Sequence, residues 1–404
     1  MVPEGWTIDS FTSLIVRAAP RAIPKAKKST YKEHGSFPVI DQGQAKVAGY
    51  VDDETLLFPG VLPVVVFGDH SRAFKYVDFP FVAGADGTQI LRADTSKLDP
   101  RFFFYAVSAL PLRNLGYSRH FKLLKEQRVA CPPLPEQRKI VAILSSVDDA
   151  IEKTQVVIDQ VGVVKKGLMQ ELLTRGLPGR HKKFKPLAND WRQGRVQSGL
   201  EVIPEAWQLV PLTSVARLES GHTPSRRKSE YWNGDVPWIS LHDTKRLDAP
   251  SITETEQKIT EEGLRNSSAR LLPAGTVVFS RTATVGKCTI MGRSMSTSQD
   301  FANYVCGPSL HNRYLMHLFR HMQSEWTRLM AGSAHKTVYM PVFRELQILL
   351  PPFDEQKRIA SVADVANQRV EREWAKVNQF ELVKRGLMSV LLTGQVRVSP
   401  DSQP

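Results

Sequence analysis

Three cysteines in 404 residues, at positions 131, 288 and 306, are too few and too scattered to form a disulfide framework or a C-x-x-C metal site. Long hydrophobic runs are also lacking. The most apolar stretch, LFPGVLPVVVFG (57–68), is short and broken by proline and glycine, which excludes a bilayer span. The opening MVPEGWTIDS has no basic segment followed by an apolar one. The expectation is a soluble, cytoplasmic chain with no membrane partner. Phosphate-binding chemistry is missing as well: TVGKC (284–288) lacks both the leading glycine and the hydroxyl residue after its lysine. Acidic groups are the minority charge, 41 Asp+Glu against 54 Lys+Arg, giving +13 and a pI near 9.6. A polyanion is therefore the expected partner, nucleic acid before membrane.

What is present is a duplication. PPLPEQRKI (132–140) returns as PPFDEQKRI (351–359), and KKGLMQELLT (165–174) as KRGLMSVLLT (384–393), both 219 positions on. The constant offset leaves no room for an insertion between the two anchors. Each Pro-Pro pair disfavours helix before it, Pro135 and Asp354 suit a helix start, and Glu136 and Glu355 suit a first turn. Apolar residues then recur in alternating steps of mostly four and three, at Ile140, Leu144, Val147, Ile151, Ile158, Val161, Leu168 and Leu172. The second copy reads Ile359, Ala363, Ala366, Val370, Val377, Phe380, Leu387 and Leu391. Two helical rods of about 40 residues, each about 60 Å long, are expected, stopped by Gly176 and Gly394. Their equal length favours pairing with each other over separate roles as core helices. Gly167 and Gly386 recur inside the rods, at positions suited to close helix approach, to a subunit contact, or equally to a glycine merely tolerated in a helix. Val156, Val157, Val163 and Val164 add apolar surface beyond one seam.

Outside the rods lie two segments with mixed α/β signals. Short β-branched runs, PVVVF (63–67) and GTVVFS (275–280), are broken by Gly, Pro, Asn and Asp. VPEGW (2–6) answers IPEAW (203–207), and SRHFK (118–122) answers SAHKT (333–337) ahead of each Pro-Pro pair. The reading is globule, rod, globule, rod: 1–131, 132–176, a polar basic linker at 177–202, 203–350, 351–394, and a tail at 395–404. A length of 404 residues calls for more than one core in any case.

Catalytic motifs fail on inspection. LPPF (350–353) and CPPL (131–134) lack the Asn, Asp or Ser that precedes Pro-Pro in amino-methylating enzymes. EQK (355–357) and its twin EQR (136–138) fit a helix start better than a metal nuclease. No catalytic or metal-ligating residue is assigned. For contact with DNA, Arg and Lys suit guanine or phosphate, and Asn and Gln suit adenine. The candidates in the first globule are Lys25, Lys27, Lys28, Gln42, Gln44, His70, Arg72, Lys75, His120 and Lys122. In the second they are Arg226, Arg227, Lys228, His242, Arg281, Lys287, His335 and Lys336. Gln299, in SQDF (298–301), reads as a loop-packing residue.

The doubled PP-x-x-EQ-[RK]-[RK]-I and [KR]-GLM-x-x-LLT rods resemble the specificity subunits of type I restriction-modification enzymes. GLPGRHKKFK (176–185) and GSFPVIDQGQAKVAGYVDD (35–53) carry the same resemblance. It implies an α+β fold of two α/β target-recognition domains joined by two long antiparallel coiled-coil helices with pseudo-twofold repeat symmetry. It also implies a non-catalytic chain that reads a bipartite double-stranded DNA target and docks two methyltransferase subunits and restriction/translocase subunits. S-adenosylmethionine, ATP and Mg2+ would belong to those partners, with no cofactor in this chain. The alternative is a free-standing bivalent DNA-binding regulator or architectural protein.

Overall fold

The computed structural model describes residues 2–85, 87–116, 118–187, 200–330 and 336–399. It contains two compact units, Met1–Val156 with Trp374–Pro404, and Val157–Glu373. Each is a mixed α+β body.

In the first unit the strands Ile15–Val16, Thr88–Ala93, Val64–Gly68 and Phe74–Val77 form an antiparallel sheet in that order. A second sheet runs Lys25–Ala26, Val82–Gly84, Phe37–Ile40 and Gly49–Val51, with parallel pairing of its first three strands. The apolar run Val64–Phe67 is buried on both faces, because successive side chains of a strand point opposite ways. Val64 and Val66 pack with Ile40, Val77 and Phe81, whereas Val65 and Phe67 pack with Leu91 and Phe102. The second unit repeats this plan. Its Val277–Ser280 strand pairs with Phe301–Cys306 and Cys288–Met291 in a five-stranded sheet. Val277 and Phe279 enter one cluster, and Val278 the other.

The long helices are Leu134–Thr174 and Phe353–Leu391, so their starts differ by the expected 219 positions. None of the seam residues read from the sequence is exposed. The helices pair antiparallel within each unit. In the first, Leu391 and Leu392 pack with Ile140 and Leu144, while Lys384 Nζ lies 2.6 Å from Asp148 Oδ1 further along. In the second, Met169 and Leu172 share a cluster with Ile359 and Ala363. Gly176 and Gly394 take φ of +82° and +73°, the left-handed conformation that glycine adopts most easily after a helix. Gly167 and Gly386 mark no close approach, since a Cβ at either would meet nothing within 4 Å. Part of the segment read as a linker is structured, because Phe184–Pro186 pairs with Val202–Pro204. Residues 188–199 of that segment lie outside the described residues.

The repeated Glu-Gln pair explains why each helix begins where it does. Buried Glu136 accepts from Trp6 Nε1 at 3.1 Å and from Arg397 at 2.8 and 3.0 Å. Glu355 accepts from Trp207 Nε1 at 3.1 Å, with His181 Nε2 at 2.8 Å and Arg180 Nε at 3.4 Å. Gln137 Oε1 accepts from the backbone N–H of Asp99, the cap of helix Pro100–Ser108, at 2.8 Å. Gln356 does the same at His311, the cap of Asn312–His321, also at 2.8 Å. These two residues tie a long helix to the strand end and the short helix of its globule. In each unit the basic partner arrives from the end of the other long helix.

Burial alone would push the Glu136 carboxyl up. The bonds from Arg397, Trp6 and Val398 outweigh it and hold the group below the ordinary glutamate value. A carboxyl lowered in the folded state stabilises above its unfolded value and loses that contribution as pH falls through the folded one. Glu136→Gln is therefore expected to cost about 2 kcal/mol at neutral pH and much less in acid below the ordinary glutamate range. Denaturant titrations of both proteins across that pH range check it, and equal losses at both ends would contradict it.

Candidate nucleic-acid interface

Parallel pairing sets which loops meet. In the first unit it brings the C-terminal ends of Phe37–Ile40 and Val82–Gly84 to one edge. The Gly68↔Thr88 register brings the end of Val64–Gly68 to the same place. The loops are then laced together: Asp69 N–H donates to the Gly87 carbonyl at 2.8 Å, and His70 N–H to Gln42 Oε1 at 3.3 Å. The Ser71 hydroxyl donates to the Gln42 carbonyl, and Gln44 Nε2 to the Ser71 carbonyl at 3.3 Å. A cleft of about 390 Å³ results, lined by Lys28, Tyr31, Asp41, Gln42 and His70 among others. Because a backbone N–H can only donate, the His70 bond fixes the carboxamide of Gln42 with its oxygen inward. Lys25, Lys27 and Lys122 are exposed but do not line this cleft.

Three further candidates of this unit do not line this cleft. Lys75 is buried, with Nζ 2.8 Å from the Asp41 carbonyl and 3.7 Å from its carboxylate, and burial pushes its ammonium below the ordinary lysine value. It braces the Asp41–Gln44 loop from beneath. His120 is wholly buried: Nε2 accepts from Leu115 N–H at 3.2 Å, which leaves Nδ1 to donate to the Asp69 carbonyl at 2.9 Å. Arg72 lines a different cleft, with Phe74, Lys384 and Arg385, and gives Nη1 to the Leu112 carbonyl at 3.0 Å.

The second unit gathers equivalent loops. Trp232–Ile239 runs parallel to Ser296–Thr297, and Ser280 pairs with Phe301. His222 N–H donates to the Thr297 carbonyl at 2.9 Å, and Thr223 Oγ1 to Gln299 Oε1 at 2.5 Å. Arg281 Nε donates to the Gln299 carbonyl at 2.9 Å, and Val338 N–H to the Arg281 carbonyl at 2.9 Å. Burial holds the Arg281 guanidinium below its ordinary value. Gln299, read as a packing residue, is exposed at the junction of these loops. Arg227, His242 and Lys336 are exposed, and His335 lies outside the described residues. Lys228 is held over the Tyr231 ring, with Nζ 2.9 Å from its hydroxyl. Lys287 is spent on Asp248 at 2.6 Å and the Thr244 carbonyl at 3.2 Å.

Arg226 is an exposed cation held by aromatic and hydrogen-bond partners. Its guanidinium lies 4.5 Å over Trp232 and 5.6 Å from Trp238, and Nη2 donates to Gln257 Oε1 at 3.1 Å. Both indoles are themselves pinned, Trp232 to the Ser225 carbonyl and Trp238 to that of His222. Stacking fixes the plane of the fork before any ligand arrives, which lowers the entropic cost of a bidentate contact.

Sequence reading missed a cleft of about 1160 Å³ lined by Arg217, Arg270, Arg344 and His222. There the buried Glu219 is clasped by Arg217 and by Arg270, the latter at 2.5 Å. These arginines stand alone in the sequence, so no local pattern flags them. Burial pushes the Cys131, Cys288 and Cys306 thiols up to about 12, which disfavours thiolate chemistry. Among the described residues no group of three or more His, Cys, Asp or Glu could hold a metal ion, and no helix is long and apolar enough to cross a membrane.

Residues 14–161 and 204–375 match the family model for the type I restriction modification DNA specificity domain. The chain belongs to that family. Two domain matches in one chain mirror its two units. Among named specificity subunits, that of EcoR124I/EcoR124II from Escherichia coli is 24% identical over 352 residues, covering 84% of this chain and 81% of that one. The MjaIX subunit of Methanocaldococcus jannaschii is 27% identical over 197 residues, covering 48% of this chain and 45% of that one. The match thus spans less than half of the MjaIX subunit. The fold is also that of the S subunit from M. genitalium, with a TM-score of 0.55 at 13% identity and 96% of each chain covered. A chain from a study of type I R-M complex assembly and conformational transition gives 0.58 at 14% identity, covering 98% of this chain and 100% of that one.

For a specificity domain, the stacked Arg226 makes a defined expectation. Arg226→Lys keeps the charge but loses the planar fork, so discrimination at one base pair is expected to fall by about 1–3 kcal/mol. Lys27→Ala should weaken binding to all sequences alike and lower the salt slope by about 1. Competition binding of the assembled complex to point-substituted targets checks both. A uniform loss for Arg226→Lys would make Arg226 a phosphate anchor.

Proposed function

We propose that this chain is the sequence-reading subunit of a type I restriction-modification enzyme, with each unit reading one half of a split double-stranded DNA target. The observation that carries this is the repetition of one reading plan with different side chains. Strand ends and loops converge on Gln42 and His70 in one unit, and on Arg226, Arg281 and Gln299 in the other. Arg and Gln in these places suit guanine and adenine edges, and the exposed lysines around them suit phosphates.

Two methyltransferase subunits dock along the long helices, and restriction/translocase subunits join that assembly. Support comes from apolar side chains left in water at equivalent places, Val163 and Val164 in the first helix and Leu382 and Val383, 219 positions on, in the second. Val156 is exposed too, whereas Val157 is half-buried. S-adenosylmethionine for methyl transfer, and ATP with Mg2+ for cleavage, are held by those partners. This chain supplies recognition and positioning.

Exchange of residues 1–131 for those of another family member tests the reading. Methylome sequencing of a host carrying the hybrid enzyme is expected to show one half of the methylated motif changed and the other kept. A change in both halves would contradict two independent readers.

A further inference from the structure

The two units share a plan, and one difference between their helix pairs concerns a charged pair. In the first unit, Lys384 Nζ is 2.6 Å from Asp148 Oδ1, and the Tyr105 hydroxyl donates to Asp148 Oδ2 at 2.6 Å. At the offset of 219, Lys384 corresponds to Lys165 and Asp148 to Asn367. The lysine is kept and its carboxylate is not. Tyr105 corresponds to His317, each being the sixth residue of the short helix pinned by Gln137 or Gln356. The second unit has its carboxylate one turn earlier, at Asp364, where His317 Nε2 (2.8 Å) and Arg313 (2.6 Å) occupy both oxygens.

Lys165 consequently has no hydrogen-bond or ion-pair partner among the described residues. It is half-buried, and burial, then the Arg320 charge, hold its ammonium below the ordinary lysine value against the pull of Glu371. It lines an apolar groove of about 720 Å³ whose walls include Ile158, Val163, Met169 and Val370. The titratable groups facing this groove are Asp159, Lys165, Lys166, His317, Arg320 and His321. Most are committed. Arg320 donates to the carbonyls of Leu247, Asp248, Ala249 and Cys288, His317 to Asp364, and His321 Nε2 pairs with Gln170 Oε1 at 2.8 Å. Of the cations, that leaves Lys165 and Lys166 to face the groove, with Asp159 the one acid among these groups. At its rim Val163 and Val164 are 73% and 67% exposed and extend the apolar surface outward.

A desolvated ammonium beside an uncovered apolar wall is complementary to an apolar segment carrying one acid. We propose that this groove seats an amphipathic helix of the methyltransferase subunit, whose Asp or Glu takes at Lys165 the place that Asp148 holds at Lys384. The occupant rests on the function proposed above; the groove and its unpaired lysine do not. The two partner copies then dock unequally. One meets a unit that carries its own counter-ion, and the other must bring one.

The test uses the full chain with the methyltransferase subunit encoded beside it, measuring the affinity of each bound copy. Lys165→Met is expected to weaken one of the two copies about tenfold, and Lys165→Arg to restore it. Asn367→Asp supplies the counter-ion within the chain and should weaken the same copy without removing any charge from Lys165. In lysine acetylation followed by mass spectrometry, Lys165 should be modified at least fivefold more slowly in the complex than in the free chain. Thermal unfolding of each variant separates misfolding from lost docking, and Asn367→Asp, which deletes nothing, remains informative if Lys165→Met unfolds. Wild-type affinity in both Lys165→Met and Asn367→Asp, or equal acetylation of Lys165 free and bound, overturns the proposal. If the wild-type chain binds no methyltransferase at all, the proposed function itself falls and takes this occupant with it.

Discussion

Each long helix starts on a buried carboxylate, and the remainder of each unit is arranged around that group. A glutamate without partners in the interior would be prohibitively unfavourable. Glu136 therefore requires Trp6 and Arg397, and Glu355 requires Trp207, Arg180 and His181. These demands fix three chain segments at once: the tryptophan just ahead of a strand, the helix start, and the basic residue following the opposite helix. The glutamine beside each glutamate then sets the short helix against which the seam packs. A nine-residue stretch that recurs with five positions identical thus encodes the joint between a globule and a helix pair, twice.

The fold was largely legible because its signals are periodic. The seam residues were found by spacing alone, and none is exposed. The buried strands were found as apolar runs, Val64–Phe67 and Val277–Phe279. Asp354, expected to cap its helix, instead lies inside a first turn that starts at Phe353 and pairs with Arg180. The structured pairing of Phe184–Pro186 was hidden by its charged composition, which reads as a linker.

The site was less legible, since a cation that reads DNA and one that braces a loop are the same residue type. Lys75 and Lys28 look alike in sequence. What separates them is Asp41, 34 positions from Lys75, whose carbonyl holds one ammonium inside while the other stays at the cleft. His120 was drawn in by its basic neighbours, yet its ring joins two backbone segments. Arg226 was named for its charge, while its order comes from Trp232, Trp238 and Gln257, which only the folded chain brings together. Gln299 reads as a packing residue because the sequence offers no sign that the segments of Thr223 and Arg281 meet at it. Specificity faces are built from contacts of long sequence separation, and single-sequence patterns do not carry them.

In the proposed reading, the duplicated helix of fixed length sets the span between the two half-sites. Insertion of four residues after Gln160, between the seam residues Ile158 and Val161, adds about 6 Å and roughly one turn, keeping the apolar face nearly aligned. Methylome sequencing of a host carrying this variant measures the outcome directly. The account predicts both half-site sequences unchanged and the nonspecific spacer longer by about one base pair, given a helical turn of about 34–36 Å per 10–10.5 base pairs. An active variant that methylates the original motif with its original spacer would contradict it.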